Sequence, residues 1–276
     1  MSYVFNAEIA KLEIIDWIRK WFDENGPDCN AVVGISGGKD SSVVAALCVE
    51  ALGVDRVYGV LMPNGTQADI EDSYRVTDSL HIRNTTIDIS PIVNALRGQV
   101  LSWMNLSEQA EINLVPRIRM ATLYAVSQSM NGRVANTCNY SEDFVGWATR
   151  WGDNVGDFSP LSNLTTDEVI QIGLLCKDLP EDLVMKVPSD GLCGKTDEDA
   201  LGFSYADLNS FIHYGPDSVD EGTRNKITAL WSKNSFKLCS LPSYIAFPER
   251  KIFMRCASQF AKHYNFEQSL WEMTFA

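Results

Sequence analysis

The stretch Ala31-Val-Val-Gly-Ile-Ser-Gly-Gly-Lys-Asp-Ser-Ser-Val-Val-Ala-Ala-Leu-Cys-Val49 runs from one element, through a glycine-rich loop, into another. Ala31-Val-Val-Gly-Ile35 is a short β-branched run closed by glycines, which predicts a buried strand. From about Asp40 to Leu52 the pattern predicts a helix. Between them, Gly34-Ile-Ser-Gly-Gly-Lys-Asp-Ser41 has glycines that let the backbone approach a ligand closely. Its N–H groups at a helix N-terminus form an anion nest. Ser36, Ser41 and Ser42 add hydroxyl donors. The ordinary P-loop spacing, G-x-x-x-x-G-K-[ST], is not met: Val33 stands at its first glycine and Asp40 at its hydroxyl position. The dinucleotide pattern G-x-G-x-x-G is absent from this turn as well. An aspartate in a phosphate nest repels phosphate unless a divalent cation lies between them. Asp40 therefore points to magnesium, an ion usually held by one or two carboxylates plus phosphates. A tight strand-to-helix turn alone has no need of these serines and this aspartate.

Outward from this loop the chain alternates. Ile9, Leu12, Ile15, Ile18 and Phe22 fall at helical spacing over 7–24, and Gly26-Pro27 stops that helix. Strands are predicted at 56–62, 84–89 and 133–137, with helices over 68–80, 91–103 and 113–130. Thr165-Thr-Asp-Glu168 is a capping box opening a helix through Leu175. Strands alternating with helices of this length imply an α/β fold with a doubly wound parallel sheet flanked by helices. Ligands in such sheets sit at the carboxyl ends of strands, which places loops 34–41, 61–69 and 136–143 on one rim. Beyond Pro188 the pattern weakens. Residues 189–196 are polar and glycine-rich, as expected of a mobile loop. Short helices are predicted at 204–213 and 218–232, and the aromatic-rich tail after Pro242 is not placed.

Composition narrows the chemistry. With 36 acidic residues against 23 Lys and Arg, the 276-residue chain carries a net charge of −13. Broad nucleic-acid binding requires cations to replace counterions along the backbone, so this balance argues against it. The longest purely apolar run, Val43 to Val49, falls far short of the ~20 residues that span a bilayer, so no membrane partner is expected. No secretory signal is evident at Met1–Glu8. Seven cysteines with no C-x-x-C pair suit a reducing, cytoplasmic setting rather than a disulfide framework or zinc site. The three histidines, His81, His213 and His263, lack metal-ligand spacing.

Gly34–Ser41 contains S-G-G-x-D-S, which resembles the signature of ATP pyrophosphatases. Further stretches sharpen the likeness. Pro63-Asn-Gly-Thr-Gln-Ala-Asp69, Pro116-Arg-Ile-Arg-Met120, Asn136-Thr-Cys-Asn-Tyr-Ser-Glu142, Arg150-Trp-Gly-Asp-Asn-Val-Gly-Asp157, Pro160-Leu-Ser-Asn-Leu-Thr165 and Leu201-Gly-Phe-Ser-Tyr205 resemble, in order and spacing, the ammonia-dependent NAD synthetases. The resemblance covers about residues 5–243 and leaves 244–276 unassigned. It implies one Rossmann-like domain, a homodimer, and the ATP-dependent conversion of deamido-NAD and ammonia to NAD, AMP and pyrophosphate.

Residue by residue, the resemblance implies that Gly34, Ile35, Ser36, Gly37, Gly38, Lys39, Asp40 and Ser41 hold ATP. Thr137 and Ser189 are implied as further ATP contacts. Asp40 and Glu142 are implied as the catalytic carboxylates on magnesium. Arg119, Arg150, Asp157 and Lys237 are implied as contacts to deamido-NAD. There are departures. Arg150 stands where the family has lysine, Ser189 where it has threonine, Phe236 where it has histidine, and Thr166 where it has a lysine that contacts ATP. The last leaves Lys39 or Lys195 to neutralise the phosphates. Without the resemblance, Glu142 reads as a helix N-terminal acid, Arg119 as a surface ion-pair partner and Asp157 as a turn cap. Cys193 reads as incidental, and a fused glutaminase domain is not expected at this length. Free ammonia, or ammonia from a partner subunit, is the expected nitrogen source. The alternatives from other classes are another ATP pyrophosphatase, such as a tRNA-modifying enzyme, and a non-catalytic adenine-nucleotide sensor.

Overall fold

The computed structural model describes residues 3–67, 70–186 and 196–239. Helix α1 (Ala7–Asn25) precedes strand β1 (Asn30–Gly34), α2 (Lys39–Leu52), β2 (Val57–Leu61), α3 (Ile70–Ser79) and β3 (Arg83–Thr86). Then come α4 (Ser90–Leu101), α5 (Glu108–Ser129), β4 (Gly132–Val134), α6 (Tyr140–Val145), α7 (Thr166–Gly173) and α8 (Glu181–Val184). Helices α9 (Asp197–Leu201), α10 (Tyr205–Tyr214) and α11 (Glu221–Asn234) close the described chain.

The strands lie in the order β3-β2-β1-β4, and each ladder is parallel. Strand β1 alternates across the sheet, as a two-residue period requires. Ala31 and Val33 join Ile18, Phe22, Val43, Leu47 and Ile172 in the core under α1, α2 and α7. Val32, between them, packs with Val60, Leu123 and Val134 beneath α5. All three β1 residues are fully buried, because parallel strands covered on both faces have no wet side. A third cluster, Val145, Leu201, Phe203, Tyr205, Leu208 and Ile227, knits α6, α9, α10 and α11 together.

The strand order places a reversal at β1, which pairs with β2 on one side and with β4 on the other. Connections leaving β1 and β4 diverge there, and the crevice between them is where open α/β sheets bind ligands. The loops 34–39 and 135–139 are the ones that leave it.

Several predicted boundaries move for identifiable reasons. The ladder of strand 84–89 ends at Thr86, although the N–H groups of Ile87 and Ile89 still donate to the carbonyls of Leu61 (2.8 Å) and Pro63 (2.9 Å), and the Asp88 carboxylate takes the N–H groups of Gly65 (2.9 Å) and Ser90 (2.9 Å). Strand 133–137 ends at Val134, after which Ala135 bridges to Phe158. Helix 113–130 starts earlier, at Glu108, where the Ser107 side chain caps the N–H of Ala110, and it carries Pro116 inside it. The short helices α6, α8 and α9 are additions to the predicted set. Residues 189–195 and the tail beyond Pro242 lie outside the described residues.

Candidate active site

The β1–α2 loop is stapled by its own serines. Ser41 Oγ accepts from the Ser36 N–H (3.3 Å) and lies 3.0 Å from Ser36 Oγ, which itself accepts from the Gly38 N–H (3.2 Å). The hydroxyls of Ser41 and Ser42 donate to the Gly38 carbonyl at 3.2 and 2.7 Å. Gly38 is the N-cap of α2 and supplies no side-chain cap, so the first turn of this 14-residue helix presents its N–H groups to the crevice. Ile35 contributes only backbone here: its side chain is core, and its N–H pairs with the Val60 carbonyl.

Opposite this turn stands Asn139, which is fully buried. Its amide Nδ2 donates to Asp40 Oδ1 (3.1 Å), and its Oδ1 accepts the N–H of Glu142 (3.0 Å). Glu142 Oε2 accepts the Asn139 N–H in return (3.4 Å), completing a capping box on α6. One residue therefore holds the two carboxylates that the sequence singles out, Asp40 through its side-chain amide and Glu142 through its backbone N–H. Burial, followed by repulsion from Asp40, holds the Glu142 carboxyl well above the usual carboxylate range. Thr166, at the first position of α7, donates from Oγ1 to Asn139 Oδ1 (3.5 Å). Asn139→Ala is expected to cost about 2 kcal/mol of stability, from one cap and one charge-assisted hydrogen bond. It should also lower kcat/KM roughly 30-fold as the carboxylates lose register. Urea unfolding and steady-state rates check the two numbers separately.

Lys39 turns inward beside these acids. Its ammonium lies 2.7 Å from Asp40 Oδ2, with a side chain only 2% exposed. Burial works to lower its pKa, but Asp40, Glu142 and Asp197 outweigh it and hold the group above the usual lysine value. Two half-buried carboxylates beside an anion nest are a donor set that fits magnesium. Among the described residues no group of three or more His, Cys, Asp and Glu side chains is arranged to hold a metal. An ion here would accordingly rest on Asp40, Glu142 and phosphate oxygens.

Thr137 lies in the same wall, on a loop that Asn136 pins down. Asn136 donates from Nδ2 to the Asp153 carbonyl (3.1 Å) and accepts from the Cys138 N–H (3.0 Å). Gly156 passes so close that an added Cβ would sit 2.6 Å from the Asn136 nitrogen. Arg119, half-buried on α5, reaches the carboxyl end of β2 and donates from Nε to the Met62 carbonyl (3.0 Å).

The remaining predicted contacts form other groups. Asp157 accepts the Val134 N–H on Oδ2 (2.7 Å) and the Tyr124 hydroxyl on Oδ1 (3.4 Å), so it anchors the end of β4. Burial and Asp157 push the Tyr124 phenol up to about 12. The Arg150 guanidinium lies over the rings of Trp151 (5.0 Å) and Phe236 (5.3 Å). Two departures from the family pattern, Arg150 and Phe236, thus meet in space. Stacking suits a planar guanidinium better than an ammonium. Lys237 donates to the carbonyls of Gly146 (2.8 Å) and Ala148 (3.1 Å), bracing the loop that carries Arg150. Ser189 lies outside the described residues.

Sequence reasoning assigned no role to Asn139, Asp197 or Tyr205. The Asn139-x-x-Glu142 spacing was a readable capping signal. Tyr205 closes the Leu201–Tyr205 stretch that resembles the family, without a role attached to it, and Asp197 had no signal, since its place near Lys39 is made by the packing of α9 and α10.

The NAD synthase family model matches residues 10–240. The chain belongs to the NAD synthase family. It is 36% identical over 208 residues to the NH3-dependent NAD+ synthetase of Pyrococcus furiosus, covering 75% of this chain and 78% of that protein. To the synonymous enzyme of Archaeoglobus fulgidus it is 39% identical over 211 residues, covering 75% and 83%. Among solved structures it resembles NMN synthetase from Francisella tularensis, with a TM-score of 0.79 and 30% identity, over 88% of this chain and all of that one. NH3-dependent NAD synthetase from Campylobacter jejuni, in complex with the nitrate ion, gives a TM-score of 0.72 at 26% identity with the same coverage. For this NAD synthase relative, no described helix is long and apolar enough to cross a membrane.

Proposed function

We propose that the protein forms NAD from deamido-NAD, ammonia and ATP, releasing AMP and pyrophosphate, as a homodimer of synthetase domains spanning about residues 5–243. The observation that carries this reading is the bridge by Asn139, which sets Asp40 and Glu142 across the crevice from each other at the open N-terminus of α2.

A carboxylate is a poor acyl donor because its leaving group is oxide. The nicotinate carboxylate of deamido-NAD attacks the α-phosphorus of ATP, pyrophosphate leaves, and ammonia attacks the resulting acyl-adenylate to release AMP. Nitrogen sheds one proton to solvent as AMP leaves, so atoms and charge balance without a covalent bond to the protein. The chain supplies position and charge: the backbone N–H groups of Gly37 and Lys39 and the hydroxyl of Ser36, which the Gly38 N–H holds in place, cradle the phosphates. Thr137 borders ATP from the opposite wall. Asp40 and Glu142 would hold magnesium, which when bound would supply charge neutralisation on the phosphates. Arg119, at the end of β2, and Arg150, braced by its aromatic neighbours and Lys237, face the pyridine nucleotide. Asp157 acts on that side through the β4 backbone it anchors.

A second reading of the acyl acceptor has its own support, the likeness to NMN synthetase over the whole length of that chain. In that reading the substrate is the deamido form of NMN, and the activation chemistry is unchanged. One assay separates the readings: purified protein with ATP, magnesium and ammonium, offered deamido-NAD or its mononucleotide counterpart, with the amide product, AMP and pyrophosphate quantified. NAD with equimolar AMP and pyrophosphate is the expected result. Preference for the mononucleotide moves the substrate assignment, and no amide from either substrate overturns the reading.

A further inference from the structure

The ammonium of Lys39 is held on two sides. Asp40 grips it from within α2, and on the other side it lies over the ring of Tyr205, 5.9 Å from the centroid. Tyr205 is the first residue of α10, and its hydroxyl donates to Asp197 Oδ2 (3.2 Å) at the first position of α9. Both side chains are buried, at 4% and 6% exposure. The elements carrying them belong to the small helical cluster, a different core from the one under α2. A buried lysine has four rotatable bonds and a strongly hydrated head, so its direction is set by whatever surrounds it. Here the surroundings are three carboxylates in reach of its charge, Asp40, Glu142 and Asp197, an aromatic face, and a hydroxyl that ties that face to Asp197.

We propose that Asp197 and Tyr205 are positioning residues that aim the Lys39 ammonium at the polyphosphate bound in the nest, making α9 and α10 a working part of the nucleotide site. Resting on the ATP-dependent reading above, the inference adds to it two residues that act through a third. The Tyr205 ring covers one face of the ammonium, and Asp197 fixes that ring through its hydroxyl. Thr166 closes the same cluster from α7, linked through Asn139 to Asp40. A lysine placed there would start one residue, Asn139, away from Asp40.

A double-mutant cycle read by nucleotide affinity tests this, with calorimetric titration of a non-hydrolysable ATP analogue in the presence of magnesium. Lys39→Met is expected to weaken binding roughly 30-fold, the worth of a charge-assisted contact. Asp197→Asn and Tyr205→Phe should each weaken it about 5-fold in the parent. In the Lys39→Met background, each should change it by less than about 2-fold, since the group they aim is gone. Thr166→Lys added to Lys39→Met should recover at least about 5-fold. Equal losses from Asp197→Asn with and without Lys39 would show a purely structural role and overturn the proposal, as would parent-like affinity in Lys39→Met. Where Lys39→Met does not fold, Lys39→Gln carries the cycle, because its amide still bonds Asp40. Binding of the analogue without amide formation from either pyridine substrate sinks the proposed reaction while leaving this cycle to be decided on its own. Failure of the parent to bind the analogue overturns both.

Discussion

Asp40→Asn is expected to lower kcat/KM for amide formation by about 10³, the scale of losing one pre-organised electrostatic group at a reacting centre. The substitution keeps the shape of the side chain and its acceptor for Asn139 Nδ2, so the bridge to α6 survives. What goes is one of two carboxylate charges facing the nest. The midpoint of the magnesium titration should rise by at least about 10-fold, the lower end of what losing an outer partner of a metal site costs. The loss is not a secondary effect of a Glu142 that fails to ionise. Asp40 is one of the groups raising the Glu142 carboxyl, so neutralising it shifts Glu142 toward easier ionisation. Lys39 loses its nearest counter-charge but keeps Glu142 and Asp197, which limits the cost in stability. Rates within 10-fold of the parent across a magnesium titration would remove Asp40 from the chemistry.

That Asp40 was recognisable at all rests on local chemistry. A carboxylate in a glycine-rich phosphate loop is conspicuous because it opposes the ligand the loop is built for. The sheet was readable for a similar reason: Ala31, Val32 and Val33 are apolar in succession, and only a strand buried on both faces tolerates that. Legibility failed where a residue's meaning comes from another part of the chain. Asp157 reads as a polar contact, but its oxygens are directed to the end of β4 and to Tyr124 on α5, a neighbour 33 positions away in sequence. Lys237 likewise faces carbonyls about 90 residues earlier, which no periodicity announces. Arg150 and Phe236 each look like an isolated departure until the guanidinium is seen lying on the ring. The short helices escaped because four to six residues show no helical period.

The two central glycines of the loop should answer differently to the same change. Gly37→Ala is expected to destabilise the protein by about 2–4 kcal/mol and to weaken ATP by at least about 100-fold. Gly37 has φ +77°, a left-handed conformation that costs a residue with a Cβ about 1–2 kcal/mol. Its added Cβ also has nowhere to go: it meets Asp72 Cβ and the Ser73 nitrogen, both at 2.9 Å, and the second of these is helix backbone that cannot rotate aside. Relief requires either the loop or α3 to move, and overpacking of this kind costs about 1–3 kcal/mol more. A loop displaced by even part of an ångström misdirects the N–H groups of Gly37 and Lys39. Losing two charge-assisted contacts, at about 1.5–3 kcal/mol each, accounts for the fall in affinity. Gly38, one residue on, has φ −86°, and its added Cβ meets only the Ser36 hydroxyl at 3.3 Å. A hydroxyl can turn, so Gly38→Ala should cost under about 1 kcal/mol and leave ATP affinity within roughly 5-fold. Thermal unfolding and nucleotide titration of the pair make the comparison. Equal losses at both positions would mean that ligand contact, rather than the backbone conformation at Gly37, sets the requirement for glycine in this loop.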